Sequence, residues 1–139
     1  MLISILFSLF LQVLPVGIFN ISGANTASTT NYLAVKKGYA MSYDGKLGKA
    51  NWVAWSLSST DIGDIPRTNK FRQDDSLPRG FILADEQDYK YTGFDRGHLC
   101  NSEDRSSSYF LNEETFLMSN MLPQTPALNR GPWERLESY

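Results

Sequence analysis

YTGFDRGHLC, residues 91–100, holds the only histidine of this chain. His98 is preceded by Asp95, Arg96 and Gly97. Imidazole titrates nearest neutrality of all side chains, so it can take a proton from water. A guanidinium presents a planar fork that matches phosphate oxygens. Glycine allows a tight turn or a close backbone approach. Together the four residues suit acid–base chemistry on a phosphate. The same four residues also describe a hydrogen-bonded surface or core pair, so the reading depends on what surrounds them.

Working outward, residues 94–100 read as a strand that ends at the candidate site. Residues 32–43 alternate as one strand, with Leu33, Val35, Tyr39, Met41 and Tyr43 on one face. Asp44-Gly45 is a turn signal, and residues 51–57 read as the next strand, with Trp52 and Trp55 on opposite faces. Residues 58–76 are loop-like, rich in Asp, Ser, Thr and Pro. Residues 79–85 suggest a short apolar strand, and residues 113–120 fit either a short helix or a strand. Residues 128–139 predict a helix with Asn129 as N-cap and Pro132 in the first turn. Asn129, Trp133 and Glu137 are spaced four and four, which places them on one side of that helix. Trp52, Trp55 and Trp133 are expected in the core, and Asn120 and Gln124 are expected to tie down loops.

The chain has 139 residues, 42% of them hydrophobic, enough for one modest core. Its formal net charge of −2 argues against a protein that packages DNA through many phosphate contacts. It is compatible with an enzyme that needs a small cationic cleft and a divalent metal. No charged side chain precedes Lys36. Residues 1–24 are apolar and end in Ser22-Gly23-Ala24, which reads as a secretory signal peptide and predicts a secreted or periplasmic protein. An uncleaved anchor or a buried helix are the alternatives. Residues 25–31 read as a polar linker and residues 32–139 as the domain. Cys100 is the single cysteine, either a small buried hydrophobe or half of a disulfide to another chain. One Cys and one His cannot build a four-ligand zinc site.

Three further stretches settle which reading of His98 to prefer. Upstream lie NWVAWSL (residues 51–57) and IPRTNKFR (residues 65–72). Downstream lies FLMSNMLPQTPALNRGPWERLE (residues 116–137). In this order and spacing they resemble the DNA/RNA non-specific endonuclease family, the DRGH-motif nucleases. The resemblance runs from about Leu33 to Tyr139. It implies an α+β fold with a ββα-metal core and an antiparallel sheet, incomplete at the C-terminus because family members continue further.

The resemblance also implies roles. His98 would be the general base, with Asp95 and nearby backbone fixing its ring. Asn129 would be the metal ligand, and Glu137, eight residues on, would hold the metal's waters. A hard cation such as Mg²⁺, with Mn²⁺ possible, suits one protein oxygen ligand plus water. Arg67, ahead of Phe71-Arg72, would clamp the scissile phosphate. Arg96 would support the site or a neighbouring phosphate. The implied activity is sugar-non-specific cleavage of DNA and RNA, read through the backbone and not through base sequence, with a protein inhibitor as a possible partner. A second family arginine falls past Tyr139, so the competing expectations are an inactive truncated remnant or a module that binds a nuclease inhibitor. Taken singly, Asn129 would be an N-cap, Glu137 a solvated helix charge and Arg67 a surface charge. Only the joint pattern selects the site.

Overall fold

The structure is a computed structural model that describes residues 23–137; most of the expected signal peptide lies outside them. Three antiparallel strands come first: β1 (Tyr32–Val35), β2 (Ala40–Asp44) and β3 (Lys49–Ala54), in the order β1-β2-β3. The run expected as one strand is therefore a hairpin. It turns at Lys37-Gly38, and the Lys36 N–H donates to the Tyr39 carbonyl at 2.8 Å. The apolar alternation continues on both sides of the turn, and a lone Gly38 is weak punctuation. Asp44-Gly45 does turn the chain: Asp44 Oδ1 accepts from the Lys46 and Leu47 N–H groups at 2.8 and 3.0 Å. Trp55 falls one residue beyond β3. It packs against the core and donates Nε1 to Asp104 at 2.7 Å.

Central strand β2 is buried on both faces. Tyr39, Met41 and Tyr43 are fully buried and cluster with Ala34, Leu77 and Cys100. Burial of side chains this size contributes about 1.5–3 kcal/mol each. Cys100 is buried and free, the small-hydrophobe reading, with burial pushing its thiol up to about 12. Residues 79–85 form no strand. Phe81 and Leu83 pack against the core from an irregular segment, while Ile82 keeps its side chain exposed, donates its N–H to the Gly45 carbonyl and accepts from the Tyr43 hydroxyl at 3.0 Å. Nor are residues 25–31 a free linker. Asn25 Oδ1 accepts from the Ala27 and Ser28 N–H groups, and the Leu33 N–H donates to the Asn25 carbonyl, which ties the segment to β1.

A second, two-stranded sheet carries the motif. β4 (Asp95–His98) pairs antiparallel with β5 (Met121–Gln124), with His98 opposite Met121 and Asp95 opposite Gln124. The expected strand at the motif is thus present. Between the two strands, residues 113–120 resolve as the end of helix α1 (Tyr109–Thr115) and a 3-10 turn (Met118–Asn120). Ser108 caps α1, its hydroxyl accepting from the Leu111 N–H. After β5 comes a helical run: α2 (Pro126–Leu128), a π turn (Asn129–Trp133) and α3 (Glu134–Glu137). β4, β5 and this run form the ββα unit of an α+β fold.

Two buried networks fasten the first sheet to the rest of the fold. Lys36 pairs with Asp74 at 2.7 Å, and Ser119 donates to the same carboxylate at 2.6 Å. Burial would push the Asp74 carboxyl up; the Lys36 ammonium and the bonds from Lys36, Ser119 and Ser76 outweigh it and hold it below its usual value. Buried Arg105 donates to the carbonyls of Gly38 and Ser56, both at 2.7 Å, tying a 3-10 turn (Glu103–Arg105) to the first sheet.

Candidate active site

Strand geometry divides the DRGH residues between two faces, because side chains alternate. Arg96 and His98 share one face; Asp95 points to the other. Gly97 shows why this position has no side chain. A Cβ there would lie 2.2 Å from the Gln124 side chain, which crosses from β5. Gln124 therefore packs on the strand; it does not tie a loop.

His98 sits at the end of β4, 4% exposed, with Nε2 buried and without a hydrogen-bond partner. Its ring stands edge-on to Phe116 at 4.9 Å and tilted against Phe71 at 6.0 Å. Two cations are anchored on those same rings. Arg67 lies 5.0 Å over Phe116 and Arg96 lies 3.9 Å over Phe71. Burial first, then the Arg67 and Arg96 charges, lowers the His98 pKa from 6.5 to about 3. The imidazole is therefore held neutral, the form that accepts a proton.

Arg67 reaches the site from the irregular loop, as the sequence placed it. Nε donates to Asn69 at 2.9 Å and a terminal nitrogen donates to Ser102 at 3.2 Å. Asn69 holds a left-handed backbone, φ 54°, which lets its side chain turn back onto Arg67. Burial lowers the Arg67 pKa, opposed by the Glu137 and Glu103 charges, but a guanidinium remains charged. Arg96 pairs with Glu86 from the 3-10 turn Glu86–Tyr89. Arg67, Arg96 and Asn129 line one open cleft of about 550 Å³, together with Asn69, Phe71 and Glu86.

The helical run supplies the rest, with one change from expectation. Thr125, not Asn129, caps it: its hydroxyl accepts from the Leu128 N–H at 3.3 Å, and Pro126 occupies the first turn. Asn129 has helical backbone, φ −62° and ψ −45°, so its side chain is free of capping. Its Nδ2 donates to Asp95 at 3.1 Å. Pro132 has no N–H to continue the α-helical ladder, and a π turn accommodates it.

The four-and-four spacing holds: Asn129 meets Asp95, Trp133 Nε1 donates to the His98 carbonyl at 3.2 Å, and the Glu137 carbonyl accepts from Asn101 at 3.0 Å. Trp133 is half-buried and clamps the helix to the site strand, where the sequence suggested only core.

Asp95 departs from its expected role. It does not reach the His98 ring. Arg130 grips its carboxylate with two bonds at 2.8 and 2.7 Å, while Asn129 takes a third. The bonds from Arg130 and Asn129 hold the Asp95 carboxyl below its usual value. Asp95 is thus a positioning residue for Asn129. Three residues apart on a strand, Asp95 and His98 face opposite ways, a consequence that the strand assignment already contained.

Glu137 brings another orphan atom, in addition to those of His98, Thr68 and Gln124. Its Oε1 is buried without a partner, and burial pushes its carboxyl up, opposed by the Arg67 charge and the nearby Trp133 indole. These features fit a hard divalent cation. A cation beside Glu137 would reverse the burial effect, and Asn129, tethered through nitrogen, presents oxygen as its ligating atom. Among the described residues no group of three His, Cys, Asp and Glu side chains converges.

Over residues 19–139 the sequence matches the DNA/RNA non-specific endonuclease family. It is 47% identical over 122 residues to the Nuclease of Nostoc sp., covering 86% of this chain and 44% of that protein. It is 37% identical over 109 residues to mitochondrial Endonuclease G of Homo sapiens, covering 77% of this chain and 36% of that protein. A solved structure of the EndoG/EndoGI complex, titled for the mechanism of EndoG inhibition, matches with a TM-score of 0.71 at 28% identity. That match covers 87% of this chain and 51% of the solved one. The chain therefore spans about half or less of the length of these relatives.

Proposed function

From the premise that this chain belongs to the DNA/RNA non-specific endonuclease family, we propose that it is the catalytic ββα part of a metal-dependent nuclease. It cleaves phosphodiester bonds in DNA and RNA without sequence preference. The observation that carries this reading is His98: a buried imidazole held neutral, its Nε2 unpartnered, under two guanidiniums that line an open cleft.

The scissile phosphate lies against Arg67, whose fork is preset by Asn69 and Ser102. Arriving negative charge offsets the guanidinium charges on His98 and raises its basicity at the moment a proton must be taken. Nε2 accepts that proton from the attacking water. Arg96, fixed by Glu86 and Phe71, stabilises the flanking charge. Asn129 and Glu137 would hold a hard cation, Mg²⁺ or Mn²⁺ by donor chemistry. When bound, the cation supplies positive charge against the developing negative charge at the phosphate and leaving oxygen. Asp95 and Arg130 keep Asn129 in place. Contacts to phosphate carry no base information, which suits cleavage of both DNA and RNA.

The apolar, uncharged residues 1–24 support export as the setting. By analogy with the inhibited EndoG complex, a protein inhibitor is a second class of partner.

The test is direct: purified protein with supercoiled plasmid and, separately, with single-stranded RNA, each with Mg²⁺ and with EDTA. The reading expects both to be cut with Mg²⁺ and neither with EDTA. Undiminished cutting in EDTA, or an intact plasmid with Mg²⁺, contradicts it.

A further inference from the structure

The cleft has one wall that the mechanism does not use. Phe94 and Lys90 line it, and Phe94 is 47% exposed. Just beyond, Tyr91 stands fully exposed with φ 61°. A left-handed backbone is a genuine outlier for a bulky aromatic residue and is kept where the surroundings fix it.

Here they do. The Thr92 hydroxyl donates to the Tyr89 carbonyl at 2.8 Å and accepts from the Phe94 N–H at 3.2 Å. Gly93, at φ 81°, completes the turn. The loop is thus internally bonded while the rings of Tyr91 and Phe94 face solvent and Tyr89, half-buried, lines the cleft beside them. An ordered backbone that displays unburied rings is preorganised for a planar partner.

The charges nearby say which partner. Arg67 and Arg96 draw a polyanion into the cleft. The wall itself carries Lys90 and Glu86, the latter paired with Arg96, and the neighbouring Asp85 and Asp88 are engaged in a capping box. The carboxylates are thus occupied and Lys90 adds a cation, so the exposed rings and not repulsion decide what sits on that wall. A neutral, flat group attached to the polyanion is compatible with it.

We propose that residues 89–94 form a nucleobase-stacking platform: Phe94, with Tyr91 beyond it, stacks an unpaired base of the strand whose phosphate lies on Arg67. This rests on the nuclease reading above and adds to it a preference for strands whose bases can splay out. Base–aromatic stacking tolerates any sequence, because every base has a π face.

The experiment measures fluorescence anisotropy in EDTA with two labelled probes of equal length, an oligothymidylate and an abasic oligomer with the same phosphates. The wild-type chain should bind oligothymidylate about tenfold or more tighter than the abasic oligomer, the range of one stack. Phe94→Ala should remove most of that difference and leave abasic affinity unchanged. Phe94→Trp should restore it, and Tyr91→Ala should remove a smaller share. Equal affinities in the wild type overturn the platform, as does a Phe94→Ala variant that weakens both probes alike. Binding of neither probe also overturns it. Plasmid nicking with the same preparation separates the two claims: nicking alongside equal affinities removes the platform alone, whereas an intact plasmid removes the nuclease reading as well.

Discussion

Asn120 and His98 lie on adjoining backbone, where the Leu99 N–H donates to the Asn120 carbonyl at 2.9 Å, and both are buried. Their treatment is opposite. The Asn120 amide accepts from the Cys100 N–H at 2.9 Å and donates to the carbonyls of Cys100 and Thr115 at 2.9 and 2.8 Å. His98 Nε2 has nothing. A buried polar atom without a partner costs roughly 1–3 kcal/mol, so proteins keep few of them. Asn120 belongs to the scaffold, where polarity is matched within the fold. His98 and Glu137 belong to a region whose matching partners come from outside. Thr68 Oγ1 and Gln124 Oε1 share that lack of a partner, so the contrast narrows the search among the described residues to four side chains, of which His98 and Glu137 carry titratable groups.

The sharpest way to break this contrast is to exchange the two fates. His98→Ala should lower plasmid cleavage by about 10²–10⁴-fold, the range of a general base, while the melting temperature holds or rises. Asn120→Ala should do the reverse. It strands three buried backbone groups, so thermal unfolding should drop on the order of 10 °C, with turnover per folded molecule retained. A His98→Ala chain that melts far lower, or an Asn120→Ala chain that melts normally, would erase the distinction.

Next in size is Arg67→Ala, expected to slow cleavage about 10²–10³-fold with unchanged melting. Arg67→Lys should recover only part, because an ammonium cannot reproduce the fork that Asn69 and Ser102 preset. Full recovery by lysine would reduce Arg67 to a point charge.

Asp95→Asn sharpens the boundary between holding and reacting. It removes the anchor of Asn129 and Arg130 without touching the reacting atoms. The Mg²⁺ concentration for half-maximal rate should rise about 10–100-fold, the usual loss for a residue that orients a ligand, with the rate at saturating Mg²⁺ largely kept. A loss of maximal rate at unchanged Mg²⁺ requirement would return Asp95 to the His98 ring.

A further effect, read in stability and not in rate, is on acid unfolding. His98 has its folded pKa depressed from 6.5 to about 3. Its contribution is therefore fully present above about pH 6.5 and is lost as pH falls towards 3, by up to about 1.4 kcal/mol per pH unit. Asp74, held low by Lys36, steepens the same limb. Comparing urea unfolding of wild type and His98→Gln between pH 7 and pH 4 isolates the histidine: the wild type should lose more. Parallel curves would contradict a buried neutral ring.

Much of this was legible in the sequence, for identifiable reasons. The strand at residues 95–98, the turn at Asp44 and the common face of Asn129, Trp133 and Glu137 all follow from local spacing. The Lys37-Gly38 turn was hidden by alternation that runs on through it. Ser108 and Thr125, both of a type that caps helices, hold the caps, whereas the sequence pattern points to Asn129. That one displacement matters most, since it frees the Asn129 side chain for Asp95. The pairs Arg96–Glu86, Arg67–Asn69 and Arg130–Asp95 depend on where loops return in space or on a left-handed backbone, and side-chain period alone does not specify them.

Because the chain holds one histidine, its imidazole gives a single set of ring resonances, and their titration by NMR tests the central claim most directly. In the free protein the ring should stay neutral from pH 7 down to below pH 4.5, and adding an oligonucleotide in EDTA should shift its titration upward as phosphate offsets Arg67 and Arg96. A free-protein midpoint near 6.5, unmoved by oligonucleotide, would contradict a buried base held neutral beneath two guanidiniums.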